Sequence, residues 1–231
     1  MTKSPDHLIA VSPDGLLPRL YTIIDPVQSC GRAPVEVAAA LLAAGVRLVQ
    51  LRDKRASSGE LYASAQRVSE CVREAGGIFI VNDRADVALA VDAEGVHVGQ
   101  DDLPVESARA ILGPEKLIGY STHILAQVRE ADASSADYIA FGPIFPTASK
   151  EKPDAAVGLD GLEEARKATR KPLVAIGGIT LENVRAVLAA GADCVAVIRD
   201  LVGAPDIRRR AEEFLKQALA AEKGQRVKGE G

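Results

Sequence analysis

The sequence predicts an α/β protein in which eight parallel strands alternate with eight helices and close into a (β/α)8 TIM barrel. Short runs of β-branched and aliphatic residues recur along the chain. Each run is followed by an alanine-rich stretch with helical periodicity, which is the pattern of βαβ units in a parallel sheet. The chain has 231 residues, of which 47% are hydrophobic, so one substantial core is expected.

The strands and helices follow from this pattern in chain order. The predicted strands are Leu20–Ile24, Leu48–Leu51, Ile78–Val81, Gly95–Val98, Leu117–Tyr120, Tyr138–Phe141, Leu173–Ile176 and Cys194–Ile198. The predicted helices are Pro34–Ala44, Gly59–Ala75, Ala85–Ala90, Val105–Leu112, Leu125–Ala131, Leu159–Thr169, Leu181–Ala190 and Ile207–Ala221. A doubly wound open sheet uses the same units, but no Gly-rich dinucleotide loop follows the first strand.

The predicted domain organisation is a single barrel between two tails. Residues 1–18 form a loose N-terminal tail, 19–222 the barrel, and 223–231 a C-terminal tail with almost nothing to bury. No apolar run resembles a signal peptide or a membrane span, so no membrane contact is expected. The sequence leaves the oligomeric state open and is compatible with a homo-oligomer.

Charge and cysteine content exclude some classes of function. The 28 basic and 32 acidic residues give a net charge of -4 and are interleaved, so no nucleic-acid-binding stripe is expected. Cys30, Cys71 and Cys194 are odd in number and far apart, which fits neither a disulfide framework nor a zinc site. A reducing cytoplasm is the expected compartment.

Polar residues collect at the carboxyl end of the second strand, where barrels of this type carry their active sites. Gln50, Arg52 and Lys54 alternate with Leu51 and Asp53, so the first three lie on one face. Two cations and an amide suit a multiply charged oxyanion such as diphosphate. The alternative is a strand end whose charges are merely solvated.

Carboxylates follow the next two strands. Asn82 and Asp83 end the third strand, and Gln100, Asp101 and Asp102 follow the fourth, so carboxylates from neighbouring strands are expected to hold one ion. Oxygen ligands in small number suit Mg2+, which completes its shell with water and substrate phosphate. As alternatives, Asp83 and Asp102 cap the helices that follow them.

A second anion site, separate from the first, is predicted at the later strand ends. The sixth strand leads into a loop with two hydroxyls and a cation, Thr147, Ser149 and Lys150. Gly177 and Gly178 after the seventh strand, with Arg199 after the eighth, lie where this fold commonly binds phosphate, unless the glycines serve only a tight turn. His97 is interpreted as a hydrogen-bonded barrel residue rather than a metal ligand, because His97 and His123 lack ligand spacing.

With these residues placed, the chain resembles the thiamine-phosphate synthase family from Leu20 to about Leu201. The resemblance rests on seven segments in order: LYTIID (20–25), QLRDK (50–54), VNDRADVALA (81–90), GVHVGQDDLP (95–104), GYSTH (119–123), DYIAFGPIFPT (137–147) and IGGI (176–179). Each segment alone is weak, but together they are specific.

The resemblance implies a role for each candidate residue. The pyrimidine diphosphate is expected at Gln50, Arg52, Lys54, Asn82 and Lys150, with Ser121 near the pyrimidine and Asp83 and Asp102 on Mg2+. The thiazole phosphate is expected at Thr147, Ser149, Gly178, Ile198 and Arg199. Ser149 replaces the usual Thr and keeps its hydroxyl, whereas Arg199 replaces the usual Ser. A guanidinium there would bind a phosphate or, as the alternative, indicate a different second substrate.

The implied reaction joins a hydroxymethylpyrimidine diphosphate to a (carboxy)thiazole phosphate and releases diphosphate. Arg52, Lys54 and Lys150 would neutralise the departing charge, which makes them and Ser121 the expected catalytic residues. Ser121 has the ordinary alternative of a turn or helix-cap residue. The alternative functions are a thiazole tautomerase, disfavoured by the retained diphosphate and magnesium residues, and a non-catalytic thiamine-phosphate-binding regulatory protein.

Overall fold

The structure of the chain is a computed structural model that describes residues 17–147 and 155–229, with side chains as far as residue 221. Its sheet is a closed barrel in which neighbouring strands pair in chain order and the eighth strand pairs with the first. The strands are β1 (Leu20–Ile24), β2 (Leu48–Leu51), β3 (Ile78–Asn82), β4 (Gly95–Val98), β5 (Leu117–Thr122), β6 (Tyr138–Phe141), β7 (Leu173–Ile176) and β8 (Cys194–Val197). The predicted parallel barrel is confirmed.

Helices alternate with the strands and cover the outside of the barrel. They are α1 (Pro34–Ala43), α2 (Ser58–Glu74), α3 (Ala85–Ala90), α4 (Val105–Leu112), α5 (Leu125–Ala133), α6 (Gly158–Ala168), α7 (Val184–Ala189), α8 (Arg199–Val202) and α9 (Ile207–Gly229). In the described part of the chain, no helix has the length and apolar character needed to cross a membrane.

The differences from the predicted elements are local. β8 ends at Val197, because Ile198 becomes the N-cap of α8, a four-residue helix that the sequence pattern did not indicate. The seventh helix begins at Val184 rather than Leu181, after Asn183 Oδ1 accepts from the Thr180 amide at 2.9 Å. The last helix continues to Gly229, so most of the predicted C-terminal tail is helical.

Two apolar clusters hold the barrel together. The larger one lies between the strands and the helices, and the smaller one fills the barrel interior. Along β1, Tyr21 and Ile23 belong to the interior cluster, while Leu20 and Ile24 belong to the outer one, as the period of two predicts. Inward-facing positions above this interior cluster therefore project into the mouth of the barrel.

Candidate active site

A cavity of about 990 Å3 reaches into the barrel and is lined by residues of all eight strands and of the segments that follow them. Thirteen residues were predicted for the site, and eleven line this cavity: Gln50, Arg52, Lys54, Asn82, Asp83, Asp102, Ser121, Thr147, Gly178, Ile198 and Arg199. The other two, Ser149 and Lys150, lie outside the described residues. One cavity thus brings together the two anion sites, whose ligands remain predictions.

The cations after β2 are held by carboxylates of neighbouring strands. Gln50, Arg52 and Lys54 all line the cavity, in agreement with their predicted common face. Arg52 Nη1 donates to Asp25 Oδ2 at 2.5 Å, and Asp25, which follows β1, is buried. Asp25 also accepts a hydrogen bond from the Val27 amide at 2.9 Å, so its carboxylate is held in place. The ion pair with this carboxylate therefore orients the Arg52 guanidinium.

Asp83 and Asp102 lie side by side at the mouth of the cavity. Lys54 Nζ is 2.8 Å from Asp83 Oδ2, and Asp102 Oδ2 accepts from the Gly99 amide at 2.8 Å. Burial, with a further contribution from the Asp102 carboxyl, raises the pKa of Asp83, and the Lys54 ammonium opposes this shift. Two close carboxylates with a single ammonium leave negative charge that a cation would neutralise.

Neither Asp83 nor Asp102 caps a helix. The N-cap of α3 is Arg84 and the N-cap of α4 is Pro104, and neither receives a side-chain cap hydrogen bond. Asp83 has a positive φ of 62°, which is unusual for a residue with a side chain. Because Arg84 and Pro104 occupy the two N-cap positions, the predicted helix-cap alternative is wrong for both Asp83 and Asp102.

The carboxylate pair matches a particular kind of metal site. Within residues 17–147 and 155–229, no group of three or more His, Cys, Asp and Glu side chains forms a potential metal site. Mg2+ is commonly held by one or two carboxylates, with water and substrate phosphate completing the shell, whereas zinc sites need three or four protein ligands. Asp83 and Asp102 therefore fit Mg2+ as a donor set.

The opposite wall of the cavity is apolar and carries the turn after β7. Ala140, Val174, Ile176 and Ala196 line this wall. A Cβ atom on Gly178 would lie 2.7 Å from Phe145 Cβ, and φ of Gly178 is +64°. Close packing and backbone conformation both require glycine at this position.

Gly178 and Arg199 both line the cavity at this second wall. The Gly178 carbonyl accepts from Asn183 Nδ2 at 2.9 Å, while its amide has no acceptor within the described ranges. Arg199 begins α8 and is exposed, and its guanidinium contacts no carboxylate of the described chain. A cation and a backbone amide that line the same cavity suit a phosphate group.

Ser121 lies inside the barrel on β5 and not in a turn. Its Oγ is 2.8 Å from His97 Nε2, and His97 Nδ1 is 3.1 Å from the Tyr138 hydroxyl. The interpretation of His97 as a hydrogen-bonded barrel residue is thus confirmed. Helix α5 instead receives its cap from Gln127, whose Oε1 accepts from the His123 amide at 2.7 Å, so the cap alternative for Ser121 is wrong.

Three residues around the cavity were not predicted to take part. Asp25 follows β1 as Asp83 follows β3, so the rule that strand ends carry the site, applied to β1, would have indicated it. Tyr21 and Tyr138 gave no such signal, because an aromatic residue in an apolar strand is ordinarily a core residue. The part that their hydroxyls play is apparent only from the hydrogen bonds that they form in the structure.

Comparisons with known proteins agree with this geometry. The family model for thiamine monophosphate synthase matches residues 20–201. The chain is 49% identical to the thiamine-phosphate synthase of Koribacter versatilis over 205 residues, which are 87% of this chain and 95% of that protein. It is 43% identical to that of Moorella thermoacetica over 202 residues, covering 86% of this chain and 96% of that protein.

A solved structure supports the same assignment. Thiamine phosphate pyrophosphorylase from Pyrococcus furiosus superimposes with a TM-score of 0.81 at 37% identity, covering 88% of this chain and 96% of that one. Barrels of lower identity, such as a 3-hexulose-6-phosphate synthase at 18% and a TM-score of 0.61, share the fold alone. By sequence and by structure, the chain belongs to the thiamine monophosphate synthase family.

Proposed function

We propose that the protein is a magnesium-dependent thiamine-phosphate synthase. The reaction joins 4-amino-2-methyl-5-(diphosphooxymethyl)pyrimidine to a thiazole phosphate and releases diphosphate. The observation that supports this most is the meeting of the β2 cations with the Asp83 and Asp102 carboxylates at one barrel mouth. Cationic side chains bind a diphosphate and carboxylates bind a divalent cation, so a site for both ligands needs the two kinds of charge next to each other.

The diphosphate is bound at the outer end of β2. Arg52 presents a planar fork of donors that Asp25 holds in place, and Lys54 is half exposed and free to turn toward a ligand. Asn82, at the end of β3, supplies an amide on the neighbouring strand. Lys150 is assigned to the same group by resemblance.

Magnesium is assigned to Asp83 and Asp102. When bound, the ion would supply positive charge that stabilises the departing diphosphate. Lys54, whose ammonium contacts Asp83 at 2.8 Å, would lie beside both the carboxylate and the leaving group. The protein's own contribution is to place two cations and two carboxylates at one barrel mouth before the substrate arrives.

The pyrimidine ring is placed deeper than the diphosphate, between Gln50 and Ser121. Gln50 is 1% exposed and lies one inward position below Arg52 on β2. The thiazole phosphate is placed against the opposite wall, which carries Gly178, Ile198, Arg199 and Thr147, and Ser149 is assigned to it by resemblance. The two rings would then face each other across the cavity.

Chemistry follows from this placement without a protein nucleophile. Cleavage of the C–O bond transfers the electron pair to the diphosphate and leaves a pyrimidine cation that the aminopyrimidine ring delocalises. The thiazole nitrogen then forms the new C–N bond to that carbon. Arg52, Lys54 and Lys150 stabilise the charge that develops on the leaving group, which is where electrostatic catalysis has its largest effect.

The experiment is a product assay with the purified chain, both substrates and Mg2+. The proposal expects thiamine phosphate and diphosphate in equal amounts. A regulatory binding protein would bind thiamine phosphate without turnover, and a tautomerase would convert the thiazole alone, and neither alternative has support from the relatives.

The three cysteines are free, so a reducing cytoplasm is the compartment we propose.

A further inference from the structure

One carboxylate joins the two segments to which the thiazole phosphate is assigned. Asp200 follows Arg199 directly in α8, and its Oδ2 accepts a hydrogen bond from the Leu181 amide at 2.9 Å. Leu181 lies between β7 and α7, three residues after Gly178. The side chain of Asp200 therefore connects the segment that carries Arg199 with the segment that carries Gly178.

The backbone holds the turn after β7 from one side only. The amides of Ile144 and Phe145 donate to carbonyls at the end of β7 and in the turn, at 2.9 and 3.0 Å. On the other side, no backbone hydrogen bond of the described chain connects residues 177–183 with residues 198–203. The Asp200 carboxylate thus supplies a link that the backbone does not make.

Arg210 on α9 holds the Asp200 carboxylate in turn. Its Nη2 is 2.7 Å from Asp200 Oδ1 and 2.9 Å from Asp200 Oδ2. The Arg210 guanidinium also lies 5.7 Å from the centre of the Phe214 ring, which is buried in the outer core. Asp200 is therefore connected to the turn after β7 on one side and to the core beneath α9 on the other.

This ion pair is partly open to solvent. The side chain of Asp200 is 23% exposed and that of Arg210 is 24% exposed, and both line the cavity. Partial screening by water limits what such a pair contributes to stability. Its effect on the geometry of the cavity wall is therefore separable from its effect on folding.

The charge of Asp200 makes a geometric role testable. A carboxylate on the cavity wall repels a phosphate, so its removal by charge alone would strengthen phosphate binding. Loss of the link between the turn after β7 and α8 would instead weaken phosphate binding, because Gly178 and Arg199 would no longer be held in place together. The two roles predict changes of opposite sign.

We propose that Asp200 is a positioning residue for the second substrate. It holds the turn after β7 against α8, so that Gly178 and Arg199 bind one phosphate group. It acts through its hydrogen bond with the Leu181 amide and its ion pair with Arg210. The inference rests on the proposed function, which assigns the thiazole phosphate to this wall.

The test is the affinity for the thiazole phosphate, measured by calorimetry without the pyrimidine substrate. Asp200→Ala removes the charge and both contacts. Asp200→Asn removes the same charge, but its side-chain oxygen can still accept from the Leu181 amide. Asp206→Asn is the matched control, because Asp206 lines the same cavity but accepts from the Arg209 amide at the start of α9.

Asp200→Ala is expected to weaken thiazole phosphate binding about ten-fold, and Asp200→Asn should lose clearly less. The control should bind at least as tightly as wild type, and the affinity of all variants for the pyrimidine diphosphate should be unchanged. Unchanged or tighter binding by Asp200→Ala, as charge alone predicts, would overturn the proposal. Equal losses in Asp200→Ala and Asp200→Asn, or an equal loss of pyrimidine diphosphate affinity, would also overturn it.

The remaining outcomes are separable as well. If Asp200→Ala does not fold, Asp200→Asn decides, because it too should bind the thiazole phosphate more weakly than Asp206→Asn does. Failure of wild type to bind the thiazole phosphate would overturn this inference together with the site on which it rests. Binding without synthesis of thiamine phosphate would contradict the proposed function instead, since the affinities are measured independently of turnover.

Discussion

Lys54 Nζ lies 2.8 Å from Asp83 Oδ2, which pairs a cation assigned to diphosphate with a carboxylate assigned to magnesium. The Lys54 side chain is 51% exposed, so this ion pair contributes little to stability and is easily exchanged. Magnesium and diphosphate would each replace one partner of the pair. The Lys54–Asp83 pair is therefore an arrangement that the two ligands together could take over.

Removing either carboxylate should abolish the response to magnesium. Asp83→Ala and Asp102→Ala are expected to suppress turnover while leaving the barrel folded, because both residues lie after strands and not in the core. Added Mg2+ with diphosphate should raise the unfolding temperature of wild type but not of either variant. Asp101→Ala, at the exposed neighbouring position, is the control. Full activity of both variants at low magnesium would refute the metal assignment.

The raised pKa of Asp83 predicts a pH dependence of stability without metal. A carboxyl whose pKa is higher in the folded state binds its proton more tightly there, so its ionisation costs stability as pH rises above about 4, the ordinary Asp value. Asp83→Asn removes this cost. The unfolding free energy of the variant relative to wild type should therefore increase with pH, measured by urea unfolding in the presence of a chelator. A constant difference would contradict the shift.

Asp25 is expected to act through Arg52. Asp25→Asn weakens the 2.5 Å contact that aims the guanidinium, so kcat/KM for the pyrimidine diphosphate should fall about ten-fold. The affinity for the thiazole phosphate should change little, since we propose that it binds at the opposite wall. Asp53→Asn is the matched control, because the hydrogen bonds that Asp53 accepts from described residues come only from the amides of Arg55 and Ala56. Equal losses in the two variants would remove this role from Asp25.

Arg199 is expected to bind the thiazole phosphate. A charge-assisted bidentate contact is typically worth about 1.5 to 3 kcal/mol, so Arg199→Ala should weaken thiazole phosphate binding roughly ten-fold to a hundred-fold. Arg199→Ser should recover part of the loss through its hydroxyl. Arg208→Ala is the control, because Arg208 pairs with Glu212 on the outside of α9. Unchanged affinity in Arg199→Ala would mean that the guanidinium points away from the ligand.

The fold was predictable from the sequence because each strand is a short apolar run with its own helix behind it. The positions of Gln50, Arg52 and Lys54 followed from the period of two alone. The helix Arg199–Val202 was not predictable, since four residues are too few for a periodic pattern. Because Ile198 is the N-cap of this helix, β8 ends one residue before its predicted end, and Arg199 is the first residue of α8.

The contacts within the site were less predictable than its location. Asp25 and Asp83 both follow strands, but their partners, Arg52 and Lys54, depend on how neighbouring strand ends approach each other. The contact between Tyr21 and Tyr138 joins residues 117 positions apart and leaves no local signal. Sequence therefore indicates which residues reach the barrel mouth, whereas pairing among them requires the closed sheet.

The most direct test of the account is diphosphate release measured as Mg2+ is titrated, with both substrates present and with each omitted in turn. The account predicts rapid release only when the pyrimidine diphosphate, the thiazole phosphate and Mg2+ are all present, with thiamine phosphate formed in equal amount. Asp83→Ala and Asp102→Ala should remain near the background at every magnesium concentration. Full turnover in the presence of a chelator, or no thiamine phosphate with all three components present, would contradict it.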